Sequence, residues 1–332
     1  MFSVLKGIVR FFIKLLPHRW ETAIYKIVFA SKKYRGSREI GDAYPVDKNV
    51  SVKDGILFSH SGHLGDILYS LHFCRELAAS YGIKHFNYHI RTNVEAPELK
   101  RVKHPCKDVR ITAGSAKFLA GLLENQDYID SVSYGDELPE NAIDLDCFRK
   151  LPVNFDAGNI ADYYYDLTDK HLPRRFWESV ISVEPDCKYQ DKIVVIATCR
   201  YQNIFVDMNA LKQFREHLIF AGLPEEYNDF CKNYFEIEYL DGVKSLNDIA
   251  RYFSGVKGVI GNQSGLFSLA ECMKIPRILI AADFIEIDGR VALGPCNVIP
   301  QGGWCERVST TGKLVSSVEK LVKGLEKKTV VP

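Results

Sequence analysis

The chain has 332 residues, 46% of them hydrophobic and 26% charged, with a net charge of +1. At about 150 residues per domain this length predicts two domains, and the composition excludes a disordered chain, a collagen-like repeat and a multi-span membrane protein. The balanced charge offers no global basic field for nucleic acid, and nine cysteines with no C-x-x-C pair fit a reducing cytoplasm better than a zinc ribbon or a disulfide framework.

The charge is uneven. Nine cations against two acids give residues 1–40 a charge of +7, which leaves −6 on the remainder. Within this head Phe2, Leu5, Val9, Phe12 and Leu16 fall at helical spacing, Lys6, Arg10 and Lys14 form a stripe, and Pro17 ends the run. Basic amphipathic helices with Phe and Trp lie in the headgroup region of anionic membranes. The head is therefore expected to hold the protein on the inner face of the plasma membrane, in the cytoplasm. A helix packed on the body by its apolar face is the alternative. No apolar run approaches the ~20 residues of a spanning helix, and Arg10 and Lys14 interrupt any signal-peptide core.

Residues 55–59 form a short apolar run, which predicts a buried strand. The glycine turn Gly62-His63-Leu64-Gly65-Asp66 follows it, then helical spacing over 67–81 and an alternating strand at 86–90. That order is a βαβ unit. Further along, a helix is expected at 115–125, turns at 135–139, an aromatic stretch at 162–166 and a helix around 175–181 between Pro173 and Pro185. The polar residues 184–191 suggest a boundary. The pattern then restarts with a buried strand at 192–197, a helix at 211–218 and a strand at 235–240. A helix capped by Ser245 comes next, then a strand at 258–261 entering Asn262-Gln263-Ser264-Gly265 and a helix that Pro276 stops. A strand at 277–281 and a final helix at 313–328 complete the reading. The expected division is 1–45 as the basic segment, 46–187 and 188–312 as two doubly wound α/β domains, and 313–332 as a terminal helix. In such sheets ligands bind at the carboxyl ends of strands, near glycine turns.

Each half has one such turn. Asn262-Gln263-Ser264-Gly265 would offer free amides and a positive dipole end to a diphosphate, or serve as a plain strand-to-helix turn. Gly62 to Asp66 is neither a Walker loop nor a dinucleotide fingerprint, so an oxidoreductase of the Rossmann kind has little support. It places a carboxylate, Asp66, at a helix start, as a general base or simply as a cap.

Taken together, the two turns resemble the heptosyltransferase family, inverting glycosyltransferases of the GT-B fold. The resemblance rests on Gly62-His63-Leu64-Gly65-Asp66-Ile67-Leu68-Tyr69-Ser70-Leu71, on residues 246–270 with Gly261-Asn262-Gln263-Ser264-Gly265, and on Ala197-Thr198-Cys199-Arg200 after the first strand of the second half. It covers roughly 55–80 and 192–282. It implies two Rossmann-like domains facing a cleft, a nucleotide-sugar donor such as an ADP-heptose, and an acceptor that is a lipid-linked or oligosaccharide glycan of the bacterial surface: lipopolysaccharide core, O-antigen or capsule. Asp66 would be the base. Thr198, Arg200, Asn262, Gln263, Ser264 and Gly265 would hold the donor diphosphate, with Asp283 on a ribose or sugar hydroxyl. No metal and no cofactor are implied. The sequence departs from the family in having Gln263 for Asp, Ser268 for His and Asn203 for Lys. These departures keep open a degenerate homologue that only binds a glycan or partner. A nucleotide-sugar epimerase is a further alternative, although the acids expected after its Ser-Gly turn are missing.

On the acceptor side His60, His63, Arg149 and Tyr164 are the candidates. His60 and His63 also read as H-x-x-H, with no third metal ligand at a telling spacing. Tyr163-Tyr164-Tyr165 is either an acceptor platform or core, and Asp144-x-Asp146 is expected to be solvated or acceptor-side.

Overall fold

The computed structural model describes residues 40–324 apart from 49, 51–54, 97–105, 107, 152–157, 288–289 and 294–295. The basic head therefore lies outside the described residues up to position 39. No helix among those described is long and apolar enough to cross a membrane.

The chain divides into two compact units. The first runs to Phe176 and takes in Pro295–Ile299. Its strands are β1 (Leu57–His60), β2 (Phe86–Arg91), β3 (Ile129–Gly135) and β4 (Ile143–Asp144). Its helices are α1 (Leu64–Ser80), α2 (Ala113–Leu123) and the one-turn α3 (Ile160–Tyr163). All strand pairs are parallel, in the order β3-β2-β1-β4. Phe58 pairs with Tyr88 on one side and Ile143 on the other, so β1 is central and flanked on both edges. That explains its apolar sequence. Chain order reverses at β1, which makes the gap between β1 and β4 the switch point where ligands bind in open α/β sheets. Strand β3 escaped the sequence reading because it is an edge strand, mostly exposed after Ile129.

The second unit comprises Trp177–Gly294 and Pro300 onward. The break thus falls ahead of the polar stretch 184–191, and the terminal helix belongs to this unit. Its strands are β5 (Ile193–Ile196), β6 (Leu218–Phe220), β7 (Glu238–Tyr239), β8 (Gly258–Asn262) and β9 (Arg277–Ile280). An antiparallel hairpin of β10 (Phe284–Ile287) and β11 (Arg290–Leu293) follows, then β12 (Cys305–Val308). Helices α4 (Pro224–Asn233), α5 (Leu246–Gly255), α6 (Gly265–Met273) and α7 (Thr311–Lys323) connect them. Six strands form one parallel sheet in the order β12-β9-β8-β5-β6-β7, the doubly wound order with its switch point between β5 and β8. Ile193, Val195, Leu218, Phe220, Ile260 and Ile278 from four of these strands build one core with α7 residues Leu314, Val318 and Leu321.

Two expected helices are corrected. Residues 211–218 fall in a 3-10 helix (Met208–His217), and Leu218 instead begins β6. A three-residue strand with every side chain buried has no alternation to mark it. No helix forms at 175–181, although Phe176, Val180 and Ile181 are buried. The Val180 and Ile181 amides donate to the Cys272 carbonyl at the end of α6 instead of to their own turn. A Cβ on Gly302 would stand 2.2 Å from the Trp177 carbonyl oxygen, and Gly302 has φ +70°, so only glycine fits where this segment passes.

The aromatic run is core, not platform. Tyr163, Tyr164 and Tyr165 are 5%, 0% and 4% exposed. Tyr164 packs at 4.9 Å from Phe148, and Tyr165 edge-on at 5.6 Å from Phe73.

Candidate functional site

In the first unit the site grows out of the turn between β1 and α1. A Cβ on Gly62 would lie 2.6 Å from both Asp66 Cβ and His60 Cε1, so the turn closes only around glycine. Gly62→Ala should lower stability by ~1–3 kcal/mol through overpacking and displace Asp66, which thermal unfolding and a transfer assay would register together.

Asp66 is the third residue of α1. Its Oδ2 accepts the His63 amide at 3.2 Å, which is a cap, and also Arg149 Nη2 at 2.8 Å. Its Oδ1 has no hydrogen-bond partner among the described residues, and the side chain is 15% exposed. Burial pushes the carboxyl pKa up. The charges of Arg149, His63 and His60 pull it down further, so the net position is below its ordinary 3.8. Asp66 is thus an ionised carboxylate with one oxygen fixed and one open.

Two acceptor-side candidates are too deeply placed to touch a ligand. His60 and Tyr164 are both 0% exposed. His60 Nε2 lies 2.8 Å from the Tyr164 hydroxyl, which itself donates to the Asp66 carbonyl at 2.9 Å. His63 and Arg149 remain partly exposed. His63 Nδ1 contacts the Arg110 carbonyl at 2.7 Å, so the H-x-x-H pair is engaged within the protein.

Asp146 is not solvated; it is 8% exposed. Its Oδ2 accepts the Ser61 amide and Arg91 Nη2, each at 3.0 Å, and its Oδ1 lies 3.0 Å from His60 Nδ1. Arg149 Nε and Arg110 Nη1 stand 3.7 and 3.9 Å from Oδ1. Although burial raises the Asp146 carboxyl, His60 and its other partners hold it far below the carboxylate range. Asp144 is shifted upward by burial and by the Asp146 charge, and it accepts the Asp146 amide at 3.0 Å. Sequence reasoning missed Arg91 and Arg110. Arg91 could have been found as the residue ending a predicted strand at its carboxyl edge; Arg110 lies in a stretch with no motif.

In the second unit the loop after β5 and the turn after β8 meet at the switch point. Asn262 joins them. Its Oδ1 accepts the Thr198 amide at 3.1 Å, and its Nδ2 donates to the Thr198 and Arg200 carbonyls at 2.9 and 2.7 Å. Thr198 Oγ1 donates to the Arg200 carbonyl at 3.1 Å. Both side chains are spent within the protein and buried, so they shape the loop instead of contacting a donor. Ser264 Oγ accepts the Phe267 amide at 3.2 Å and caps α6, with Gly265 as the first residue of the helix. Gln263 is half-buried beside it. The Arg200 guanidinium stands 5.5 Å from the Tyr201 ring centre and forms no hydrogen bond or ion pair among the described residues. Tyr201 has φ +53°, an uncommon conformation for a bulky residue. Asp283 is held by Arg307, which competes with the sugar contact expected of it.

Two of the three residues that depart from the heptosyltransferase motifs, Asn203 and Ser268, have structural roles. Asn203 is 5% exposed, donates to the Ala281 carbonyl at 2.6 Å and accepts the Phe205 amide at 2.9 Å. Ser268 is buried and donates to the Ser264 carbonyl at 2.9 Å.

No protein-family model matches the chain, and no curated protein matches it by sequence. Among solved structures it is similar to a family 9 glycosyl transferase from Veillonella parvula (11% identity, TM-score 0.46), covering 80% of this chain and 89% of that one. It is similar to the iron-containing dodecameric glycosyltransferase TibC of enterotoxigenic E. coli (16% identity, TM-score 0.46, 82% and 77% of the two chains). It is also similar to the ADP-heptose lipopolysaccharide heptosyltransferase II of E. coli (13% identity, TM-score 0.43, 81% and 98%).

Proposed function

We propose that the chain is an inverting, metal-independent glycosyltransferase that moves a sugar from a nucleotide-sugar donor to a bacterial cell-surface glycan. The observation that carries this reading is Asp66, an ionised carboxylate with one oxygen held by Arg149 and the other open, at the switch point of a parallel sheet. In the proposed reaction Asp66 takes the proton of an acceptor hydroxyl. The acceptor oxygen attacks the anomeric carbon from the face opposite the diphosphate. The bond from that carbon to the phosphate oxygen breaks, and the nucleoside diphosphate leaves with the electron pair.

Arg200 and the amino end of α6, beginning at Gly265, suit the leaving diphosphate: a forked permanent cation and a helix dipole. Arg200→Ala should weaken nucleoside diphosphate binding by about 10- to 100-fold, the equivalent of a lost charged hydrogen bond; isothermal titration measures this. Asp144-x-Asp146 does not suit a divalent cation, because Asp146 already accepts from Arg91, the Ser61 amide and the His60 side. Arg91, Arg110 and Arg149 suit an acceptor bearing an anionic group. The head at 1–40, with its charge of +7, suits docking on an anionic membrane from the cytoplasm.

The deciding experiment is transfer across a nucleotide-sugar panel with extracted lipid-linked glycans, in which at least one pair must turn over. A second reading, a degenerate homologue that binds a glycan or partner and turns nothing over, is favoured by Asn203 and Ser268, whose polar groups are used internally. A protein of that kind would bind no nucleoside diphosphate by titration.

A further inference from the structure

Asp66 is braced from two directions, and both braces start at Asp146. Along the first, Asp146 Oδ1 lies 3.0 Å from His60 Nδ1, and His60 Nε2 lies 2.8 Å from the Tyr164 hydroxyl. That hydroxyl donates to the Asp66 main-chain carbonyl at 2.9 Å. Along the second, Asp146 Oδ1 stands 3.7 Å from Arg149 Nε, and Arg149 Nη2 donates to Asp66 Oδ2 at 2.8 Å. One path ends on the backbone of Asp66 and the other on its carboxylate.

Proton inventory gives the first path a direction. A tyrosine has one O–H, which Tyr164 uses on the Asp66 carbonyl. Its oxygen therefore accepts from His60, and His60 carries a proton on Nε2. The link to Asp146 is made when Nδ1 is also protonated, which is the state the first brace requires; when it is not, Nδ1 accepts the Gly62 amide 2.9 Å away instead. The Nε2–H to Tyr164 link is the same in both states.

We propose that Asp146 is a positioning residue for Asp66, acting through His60 and Tyr164 on its main chain and through Arg149 on its carboxylate. The inference rests on Asp66 being the base of the proposed transfer. Asp146, His60 and Tyr164 are too buried to touch substrate, at 8%, 0% and 0% exposure, so their effect must pass through geometry. The carboxylate is needed because donors converge on both oxygens; an amide would turn an N–H toward one of them. A displacement of the base by about 1 Å is enough to cost about 100-fold in rate.

The test uses the full chain with nitrogen-15-labelled histidine, together with Asp146→Asn and Tyr164→Phe. In the unaltered protein a His60 Nε2–H resonance protected from solvent exchange is expected, assigned by its loss in His60→Gln. Both variants should exchange this proton at least about tenfold faster, with unchanged circular dichroism. In transfer assays both should lose about 10- to 100-fold in kcat while donor KM stays within about twofold. Unchanged exchange in Asp146→Asn overturns the proposal. So does faster exchange with unchanged kcat, or a loss confined to KM. If Asp146→Asn does not fold, Tyr164→Phe decides by the same criteria. If the unaltered protein transfers no sugar, the base reading fails, and the exchange measurement alone still decides whether Asp146 holds the chain of contacts.

Discussion

Asp66→Asn should reduce sugar transfer by about 10²- to 10⁴-fold, the usual contribution of a general base, with a smaller loss of stability from the broken ion pair to Arg149. Asparagine keeps an oxygen for the His63 amide, so the cap on α1 can persist. What disappears is the acceptor of the proton and the ion pair to Arg149, which is 2.8 Å long. The pH dependence gives a second signature. Burial opposes ionisation of Asp66, but Arg149, His63 and His60 outweigh it and place the carboxyl below 3.8. The base is therefore charged throughout the neutral range, and the acid limb of kcat/KM should fall below the ordinary carboxylate value. Arg149→Gln removes the largest stabilising charge, so that limb should move to higher pH. The sign for stability agrees. A group with a depressed folded pKa contributes stability above its unfolded pKa and loses it as pH falls through the folded one. Acid unfolding monitored in both variants measures this. An acid limb that stays in place in Arg149→Gln would contradict the pairing.

Arg277→Ala should destabilise the second unit by ~3–5 kcal/mol, the cost of breaking a buried ion pair by removing one partner. Arg277 is 0% exposed at the start of β9. Its Nε donates to Glu271 Oε2, and its other nitrogens donate to the carbonyls of Ile275, Gln301 and Gly302 at 3.0, 2.8 and 2.9 Å. Glu271 is 4% exposed and would keep only Lys274 Nζ at 2.6 Å and the Gln301 amide at 3.1 Å. Three carbonyls would lose a donor as well. Against a typical total of 5–15 kcal/mol, this is enough to lower the denaturation midpoint severely. Arg277→Lys should recover only part of the loss, because an ammonium cannot reproduce the planar fork. Denaturant melts of the two variants measure the difference, and a midpoint unchanged in Arg277→Ala would refute the clamp.

Each strand–glycine turn–helix unit was legible in the sequence because its signals are local. Short apolar runs mark β1, β5, β8 and β9. Ser245 and Ser264 cap α5 and α6, and Gly62 is where the turn has no room for a Cβ. The positions of Asp66, Arg200 and Gly265 at the carboxyl ends of strands follow from that order alone. Elements whose apolar pattern is weak or too short were not legible: the exposed edge strand β3, the three-residue β6, and the irregular segment at 176–181 whose amides bond to α6.

Only the tertiary structure decided which polar groups meet. Asp146 lies 86 residues from His60, Arg149 lies 83 from Asp66, and the Tyr164 hydroxyl lies 98 from the carbonyl it bonds. No spacing rule spans such distances, because the crossovers of the sheet bring these residues to one edge. The same folding buried His60, Tyr164, Thr198 and Asn262, for which the sequence and its resemblance to the heptosyltransferases predict ligand contact. A side chain's chemistry is written in the sequence, but whether it faces a ligand or another part of the chain depends on which buried groups need its hydrogen bonds.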